Sequence, residues 1–196
     1  MSLHDLKQNK TPFPECCDGK VKIVEFSKRH LTKRYVGWLN DKEVVRYSEQ
    51  RHFKHSISSC YQYYETLKKS DSYFLAVEII DLNMWHVGNM GVEVDRYNSK
   101  ADVSIMIGEK SVWGTGVASR AWSLVLNALI KDLCFRLVTA GTMETNVPMI
   151  NLMKRSGMTI DAILPNRFVN ENRQIGLVAA SYNSVNYKNL VGSINY

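Results

Sequence analysis

The sequence lacks the features that mark several specialised classes of protein. No apolar run in its 196 residues approaches the roughly 18 needed to span a bilayer, and residues 1–20 contain no apolar signal-peptide core. The four cysteines have no Cys-x-x-Cys spacing, so neither a zinc site nor a disulfide framework is indicated. We therefore expect free thiols, no bound metal, no membrane contact and a cytoplasmic location.

The charge is unbalanced but not concentrated. The formal net charge is +6, yet the lysines and arginines are scattered and form no long basic block. That pattern argues against nucleic acid as the main partner. A basic balance favours an acidic ligand such as a nucleotide or phosphate group, and it is equally consistent with an ordinary soluble surface.

The chain also lacks internal repeats and low-complexity linkers, and its length suits one domain with a substantial core. Residues 1–19, with Pro12, Pro14 and Gly19, are predicted to form a loose lead-in. Residues 20–183 are predicted to form the single domain. Residues 184–196 are predicted to be a polar C-terminal tail.

Hydrophobic spacing predicts alternating helices and strands within this domain. Apolar residues recur at helical spacing in four segments and alternate or cluster as in strands in seven others. The helices are predicted at 30–41, 56–70, 116–131 and 147–156, and the strands at 21–26, 73–80, 86–94, 102–108, 135–143 and in two segments within 158–182. The fold class is therefore α+β, with a mixed, mostly antiparallel central sheet flanked by helices.

The stretch IGEKSVWGTGVASR (107–120) predicts a strand that ends in a glycine turn and leads directly into a helix. The first N–H groups of a helix have no intrahelical partner, and together with the helix dipole they bind anions such as a pyrophosphate. Gly114 and Gly116 allow the backbone to approach the phosphate closely. Alone the pattern is weak, because most Gly-x-Gly turns before helices bind nothing.

The same stretch resembles the W-G-x-G-x-A loop of the GNAT N-acetyltransferases. The resemblance is to the branch of ribosomal-protein N-terminal acetyltransferases and bacterial amino-sugar acetyltransferases. Three further segments are similar to that branch: WLNDKEVVRYSEQ (38–50), HVGNMGVEVD (86–95) and TNVPMINLMKRSGM (145–158). Ser111 departs from the pattern, where Arg or Gln is usual, and so does Met149, where Ser is usual.

The resemblance implies acetyl-CoA as acyl donor, bound mostly by backbone. Its pantetheine arm would pair with the strand at Ile105, Met106 and Ile107, and its pyrophosphate would lie on the 113–119 loop. The implied cofactor residues outside that strand are Trp113, Gly114, Thr115, Gly116, Val117, Ala118, Ser119, Asn146, Asn151 and Lys154. The N–H of Ile107 is the implied oxyanion donor.

Two parts of the chemistry remain open at the sequence level. Asp102 lies where relatives often carry Glu, which implies a general base acting through a water, with Glu78, Glu93 and Glu144 as rivals. The usual general acid is a Tyr, but Met153 occupies that position. Either Tyr182 or a water would then supply the proton, or the thiolate leaves unprotonated.

The acceptor is implied to be a small amine, and no acceptor residue is fixed. Trp38, Tyr47 and His86 are candidates for contacting it, although packing is the default for Trp38 and a surface or structural role is the alternative for His86. A nucleotide-linked amino sugar is the preferred substrate class. A protein N-terminal amine and a non-catalytic acetyl-CoA-binding module are the alternatives, and the protein is expected to be a monomer or homodimer.

Overall fold

The computed structural model describes residues 10–80 and 85–183 of the chain. Residues 1–9 of the predicted lead-in and the whole predicted tail, 184–196, lie outside the described residues. Strands in the described part are β1 (Cys16–Cys17), β2 (Val21–Glu25), β3 (Tyr73–Ile79), β4 (Trp85–Asp95), β5 (Lys100–Ile107), β6 (Leu137–Met143), β7 (Thr159–Asn170) and β8 (Arg173–Asn183).

Four α-helices accompany these strands: α1 (Lys33–Asn40), α2 (Ile57–Lys68), α3 (Val117–Asn127) and α4 (Val147–Arg155). Short 3-10 turns lie at Lys28–His30, Glu49–His52 and Lys110–Val112, and a π-helical turn, Ala128–Asp132, extends α3. None of the helices in the described residues has the length and apolar character needed to cross a membrane.

The strands form one sheet in the order β1-β2-β3-β4-β5-β6-β8-β7. Neighbouring strands are antiparallel except for β5 and β6, which are parallel and are connected through α3. The predicted α+β plan with a mixed, mostly antiparallel sheet is therefore confirmed. Sequence patterning missed the two-residue strand β1 within the lead-in, since so short a strand shows no alternation of its own.

The sheet buries a hydrophobic layer on each face. On one face α3 packs against the sheet, with Trp122 fully buried and its Nε1 donating to Ser156 Oγ at 3.1 Å, just beyond the end of α4. On the other face α1 and α2 cover a smaller cluster that includes Phe26, Tyr35 and Trp38. Between α1 and α2, Val44 packs against the same cluster and Val45 is buried, while other residues of this segment border the site described next.

Candidate active site

The two central parallel strands separate, and the separation opens a gap in the sheet. β5 and β6 pair only from Lys100 to Asp102 on one strand and from Leu137 to Thr139 on the other. Beyond these residues each strand has a free edge. The unpaired edges leave backbone N–H and C=O groups available to an extended ligand, which would bind as an additional strand.

The hydrogen-bond alternation shows which residues of β5 face that gap. The N–H of Gly108 donates to Val87 O, and in an antiparallel pair the bonding residues alternate. Ile105 and Ile107 therefore direct their backbone groups away from β4 and towards the gap. The carbonyl of Ile107 accepts a bond from Trp113 Nε1 at 2.9 Å. Met106 differs from the expectation, because its backbone groups point to β4.

The start of α3 borders the gap and has the properties of an anion site. Gly114 and Gly116 have φ of +77° and +88°, a conformation that a side chain would strain. Gly116 is the N-cap, so no side chain occupies the N–H groups of the first turn, and that turn contains no acidic residue. In contrast, α1, α2 and α4 are each capped by a side-chain oxygen of their own N-cap residue.

Most of the predicted 113–119 loop lines the main cavity of the protein. The lining residues from this loop are Trp113, Gly114, Gly116, Val117, Ala118 and Ser119. Thr115 is the exception among the seven residues. Its N–H and hydroxyl both donate to Val112 O, the hydroxyl at 2.7 Å, so Thr115 stabilises the turn itself.

Helix α4 forms the opposite side of the same cavity. Asn146 lines it while capping α4, since Oδ1 accepts from Met149 N and Nδ2 donates to Thr142 Oγ1 at 2.9 Å. Asn151 also lines the cavity, but Lys154 does not. Arg155 does, and sequence reasoning missed it. The helical spacing of Pro148, Asn151 and Arg155 was the available signal.

The main cavity has a volume of about 1140 Å³ and extends from the α3 loop to the segment between α1 and α2. This volume exceeds that of a typical small-molecule site, roughly 300–1,000 Å³. The cavity therefore has room for two ligands, as a reaction between two bound substrates requires. We call the end formed by α3, α4 and the gap the cofactor end, and the end formed by residues 43–55 the acceptor end.

The acceptor end is basic and aromatic. Its lining includes Arg46, Tyr47, Phe53, Lys54 and His55. Among the residues of segment 43–55 that line the cavity, Glu43 is the one acidic side chain, and it is paired with Lys110, at 2.6 Å between Oε2 and Nζ. An anionic ligand is therefore favoured at this end.

Of the three predicted acceptor residues, only Tyr47 lines the main cavity. Trp38 is 6% exposed, and its ring lies against Gly108, where no Cβ fits. His86 is also 6% exposed and is surrounded by aromatic rings. Both side chains therefore pack in the interior, in agreement with the structural alternative given for each of them above. Tyr35, which sequence reasoning missed, reaches the cavity from α1, and burial raises the pKa of its phenol.

Asp102 lies in a second, smaller cavity of about 420 Å³ on the face of the sheet that carries α1 and α2. Its Oδ2 accepts a bond from Thr139 Oγ1 at 2.6 Å. Burial raises the pKa of Asp102 above its usual 3.8, although the bond from Thr139 acts in the opposite direction. The two cavities adjoin, because four residues line both of them: Tyr63, Phe74, Gly91 and Ser104.

The rival carboxylates differ in position. Glu93, directly opposite Asp102 on β4, lines the second cavity and is exposed. Glu78 is buried between Arg29 and His30, and Glu144 Oε1 accepts from Gly176 N. Neither Glu78 nor Glu144 lines either cavity.

Neither Met153, at the usual position of the general acid, nor the candidate acid Tyr182 lines either cavity. Met153 is fully buried in the core. Tyr182 packs on that core beside Gly157 and lines neither cavity. Within the described residues, the position of the usual acid therefore contributes only packing.

Comparison with known proteins identifies the family of the chain. The profile of the acetyltransferase (GNAT) domain matches residues 20–159, whereas no curated protein matches the sequence. A GNAT-family acetyltransferase structure from Bacillus anthracis is 13% identical with a TM-score of 0.75, covering 87% of this chain and 98% of its own.

Two structures from Vibrio cholerae are also similar. The spermidine N-acetyltransferase in complex with CoA and spermine is 14% identical, with a TM-score of 0.77 and coverage of 87% of this chain and 99% of that one. A protein assigned as a ribosomal-protein-serine acetyltransferase is 15% identical, with a TM-score of 0.65 and coverage of 89% and 99%. The matched domain spans most of the chain, which therefore belongs to the GNAT acetyltransferases and is an acetyl-CoA-dependent N-acetyltransferase.

Proposed function

We propose that the protein acetylates a primary amine on an anionic small molecule, most simply a nucleotide-linked amino sugar, with both substrates bound together. The observation that carries this proposal is the basic and aromatic acceptor end. Arg46 and Lys54 favour phosphate groups, and Tyr47 and Phe53 offer faces for a sugar or base ring. This substrate class corresponds to the amino-sugar branch of the family.

The cofactor end supports a specific placement for acetyl-CoA, which supplies the acetyl group as a thioester. The open N–H groups at Gly116, Val117 and Ala118 suit its pyrophosphate. The free edge of β5 at Ile105 and Ile107 suits its pantetheine amides. Arg155 adds a positive charge on the facing helix.

We assign two groups of the chain to the transfer step. The backbone N–H of Ile107, which faces the gap, donates to the oxygen that gains negative charge in the transition state. Asp102 accepts the proton of the attacking amine through water, because the second cavity adjoins the main one at Ser104 and Gly91. A pKa raised by burial brings this carboxylate closer to the range in which a general base is effective.

Two other acceptor classes are the natural competitors. The similar structure from Vibrio cholerae that holds spermine acts on spermidine, a polycation. Arg46 and Lys54 disfavour such a substrate at the acceptor end, where Glu43 is already paired with Lys110. A protein N-terminal amine, as in the ribosomal-protein branch, is disfavoured less strongly, since a peptide carries no fixed charge pattern.

The test is a panel of acceptors incubated with acetyl-CoA, with products identified by mass spectrometry and CoA thiol release measured in parallel. The panel contains UDP- and dTDP-linked 2-amino, 3-amino and 4-amino hexoses, the corresponding free amino sugars, spermidine and N-terminal peptides. We expect acetylation of a nucleotide-linked sugar and much slower reaction of its free counterpart. Acetylation of spermidine or peptide alone contradicts the proposal.

A further inference from the structure

Asn89 is a buried polar side chain in the wall of the main cavity. It lies on β4 opposite Met106, and 5% of it is exposed. Its Oδ1 accepts a hydrogen bond from His86 Nε2 at 2.8 Å, whereas its buried Nδ2 has no partner within full hydrogen-bond geometry. The phenol of Tyr35, which also lines the cavity, interacts with this amide. Buried amide groups are almost always satisfied. An amide NH₂ has two hydrogens, so at least one of them remains beside the cavity for a bound ligand even where Tyr35 uses the other.

His86 determines which end of the Asn89 amide is left for the cavity. The imidazole is enclosed by the rings of His30 and Trp38, with centroids 4.9 and 5.0 Å away. Burial lowers the pKa of His86 to about 4, and the nearby charges of His30 and Arg34 act in the same direction. The ring is therefore neutral at pH 7 and has a single N–H.

The position of that hydrogen follows from the contacts. His86 Nε2 lies 2.8 Å from Asn89 Oδ1, an oxygen that can only accept, so we assign the hydrogen to Nε2. The amide oxygen is thereby occupied, and the NH₂ group remains. His86, which lines neither cavity, thus acts on the cavity through Asn89.

The chemistry of a donor restricts what it binds. A bond to the lone pair of the attacking amine would prevent the attack, and the thioester lies at the gap, where the N–H groups of Ile105 and Ile107 are available. The remaining partner is an oxygen of the acceptor that neighbours the amine. On an amino sugar that atom is a hydroxyl oxygen.

We propose that Asn89 Nδ2 donates a hydrogen bond to a hydroxyl or carbonyl oxygen beside the reacting amine, and that His86 is the positioning residue that orients the amide. Asn89 is then a specificity-determining residue of the acceptor. This inference rests on the proposed function, because it uses an amino sugar as the occupant.

The experiment uses the amino sugar of the panel that reacts fastest, together with its analogue lacking the hydroxyl beside the amine. Asn89→Ala is expected to raise the acceptor KM about tenfold, the loss of one hydrogen bond, and to leave acetyl-CoA affinity unchanged. The parent is expected to discriminate against the deoxy analogue by a similar factor, and Asn89→Ala to discriminate little. Asn98→Ala, at an exposed turn outside both cavities, is the matched control.

Two further variants test the positioning role of His86. His86→Gln retains an N–H donor and is expected to keep a near-parental acceptor KM. His86→Leu removes the donor and is expected to raise KM as Asn89→Ala does, without a further increase in the double variant. If His86→Leu fails to fold, the deoxy comparison in the parent and Asn89→Ala decides alone.

The failures are distinguishable. If no nucleotide-linked amino sugar is acetylated, the proposed function is contradicted and this inference falls with it. The inference alone is overturned if a nucleotide-linked amino sugar is acetylated but Asn89→Ala leaves its KM unchanged. It is also overturned if Asn89→Ala discriminates against the deoxy analogue by the same factor as the parent.

Discussion

The two ends of the main cavity are built from different parts of the chain. The cofactor end offers mainly backbone groups, from the free edge of β5 and from the start of α3 at Gly116. The acceptor end offers side chains from the segment between α1 and α2, such as Arg46 and Tyr47. Backbone recognition tolerates changes of side chain but constrains glycines and strand edges, whereas side-chain recognition can be altered by one substitution.

The largest expected effect breaks the cofactor end. In Gly116→Asp, a carboxylate would stand before the open N–H groups of α3 and repel the pyrophosphate, at a φ of +88°. We expect acetyl-CoA affinity to fall by more than about 100-fold in calorimetry. Gly19→Asp is the matched control, because Gly19 has a φ of +86°, equally open surroundings and no place in either cavity. Equal losses in both variants would indicate backbone strain as the cause.

This contrast also explains what could be predicted from the sequence. The succession of helices and strands along the chain and the Gly114–Gly116 turn leave periodic or compositional signals, so the fold class and the 113–119 loop could be predicted. Asn89 could not be predicted, because it reaches the cavity only through its parity on β4 in the folded sheet, whereas Arg155 had a signal in the helical spacing of α4 that was not used. The backbone groups of Met106 face β4, whereas those of Ile105 and Ile107 face the gap. This difference likewise follows only from the hydrogen-bond alternation with β4.

Substitution of Asp102 tests whether the second cavity takes part in the reaction. Asp102→Asn is expected to lower kcat/KM by roughly 100-fold, the loss of a general base, with acetyl-CoA affinity unchanged. The check is a pH–rate profile of both forms. Glu93→Gln is the control, since Glu93 lines the same cavity opposite Asp102. Superimposable profiles for Asp102→Asn and the parent would remove Asp102 from the reaction.

Asp102→Asn is expected to stabilise the protein even though it lowers the activity. Burial raises the pKa of Asp102, so the folded state binds this proton more tightly than the unfolded state. The charged carboxylate therefore costs stability as pH rises from the unfolded pKa of 3.8 through the folded one. Asp102→Asn should then melt at a higher temperature than the parent at pH 7, with the advantage decreasing towards pH 4. A lower Tm at pH 7 would contradict the burial argument.

A smaller effect is expected when the acceptor end is changed. Arg46→Glu reverses one of the charges facing the acceptor and should raise the KM for a nucleotide-linked amino sugar about tenfold. The KM for acetyl-CoA should stay near the parental value. Lys42→Glu, an exposed change in the same segment that lies outside both cavities, controls for net charge. If Lys42→Glu raises this KM as much as Arg46→Glu does, the effect comes from the net charge of the protein and not from contact of Arg46 with the acceptor.

The smallest effect concerns Asn146, which belongs to the cofactor end but acts through its side chain. Asn146→Ala removes both the α4 cap and the amide donor, so we expect losses of about 1 kcal/mol in stability and about 1 kcal/mol in acetyl-CoA binding. Asn146→Ser retains a capping oxygen and should lose only the binding. Thermal melts and calorimetry separate the two losses. Unchanged binding in both variants would make Asn146 purely structural.

The most direct test of the two-ended cavity is a crossed measurement of the Michaelis constants for acetyl-CoA and for a nucleotide-linked amino sugar in Arg46→Glu and in Gly116→Asp. Each ligand is varied while the other is saturating or as high as solubility permits. The account predicts that Gly116→Asp raises mainly the constant for acetyl-CoA and that Arg46→Glu raises mainly the constant for the sugar. If both variants weaken the same ligand to the same extent, the two ends do not hold different substrates, and the account is contradicted.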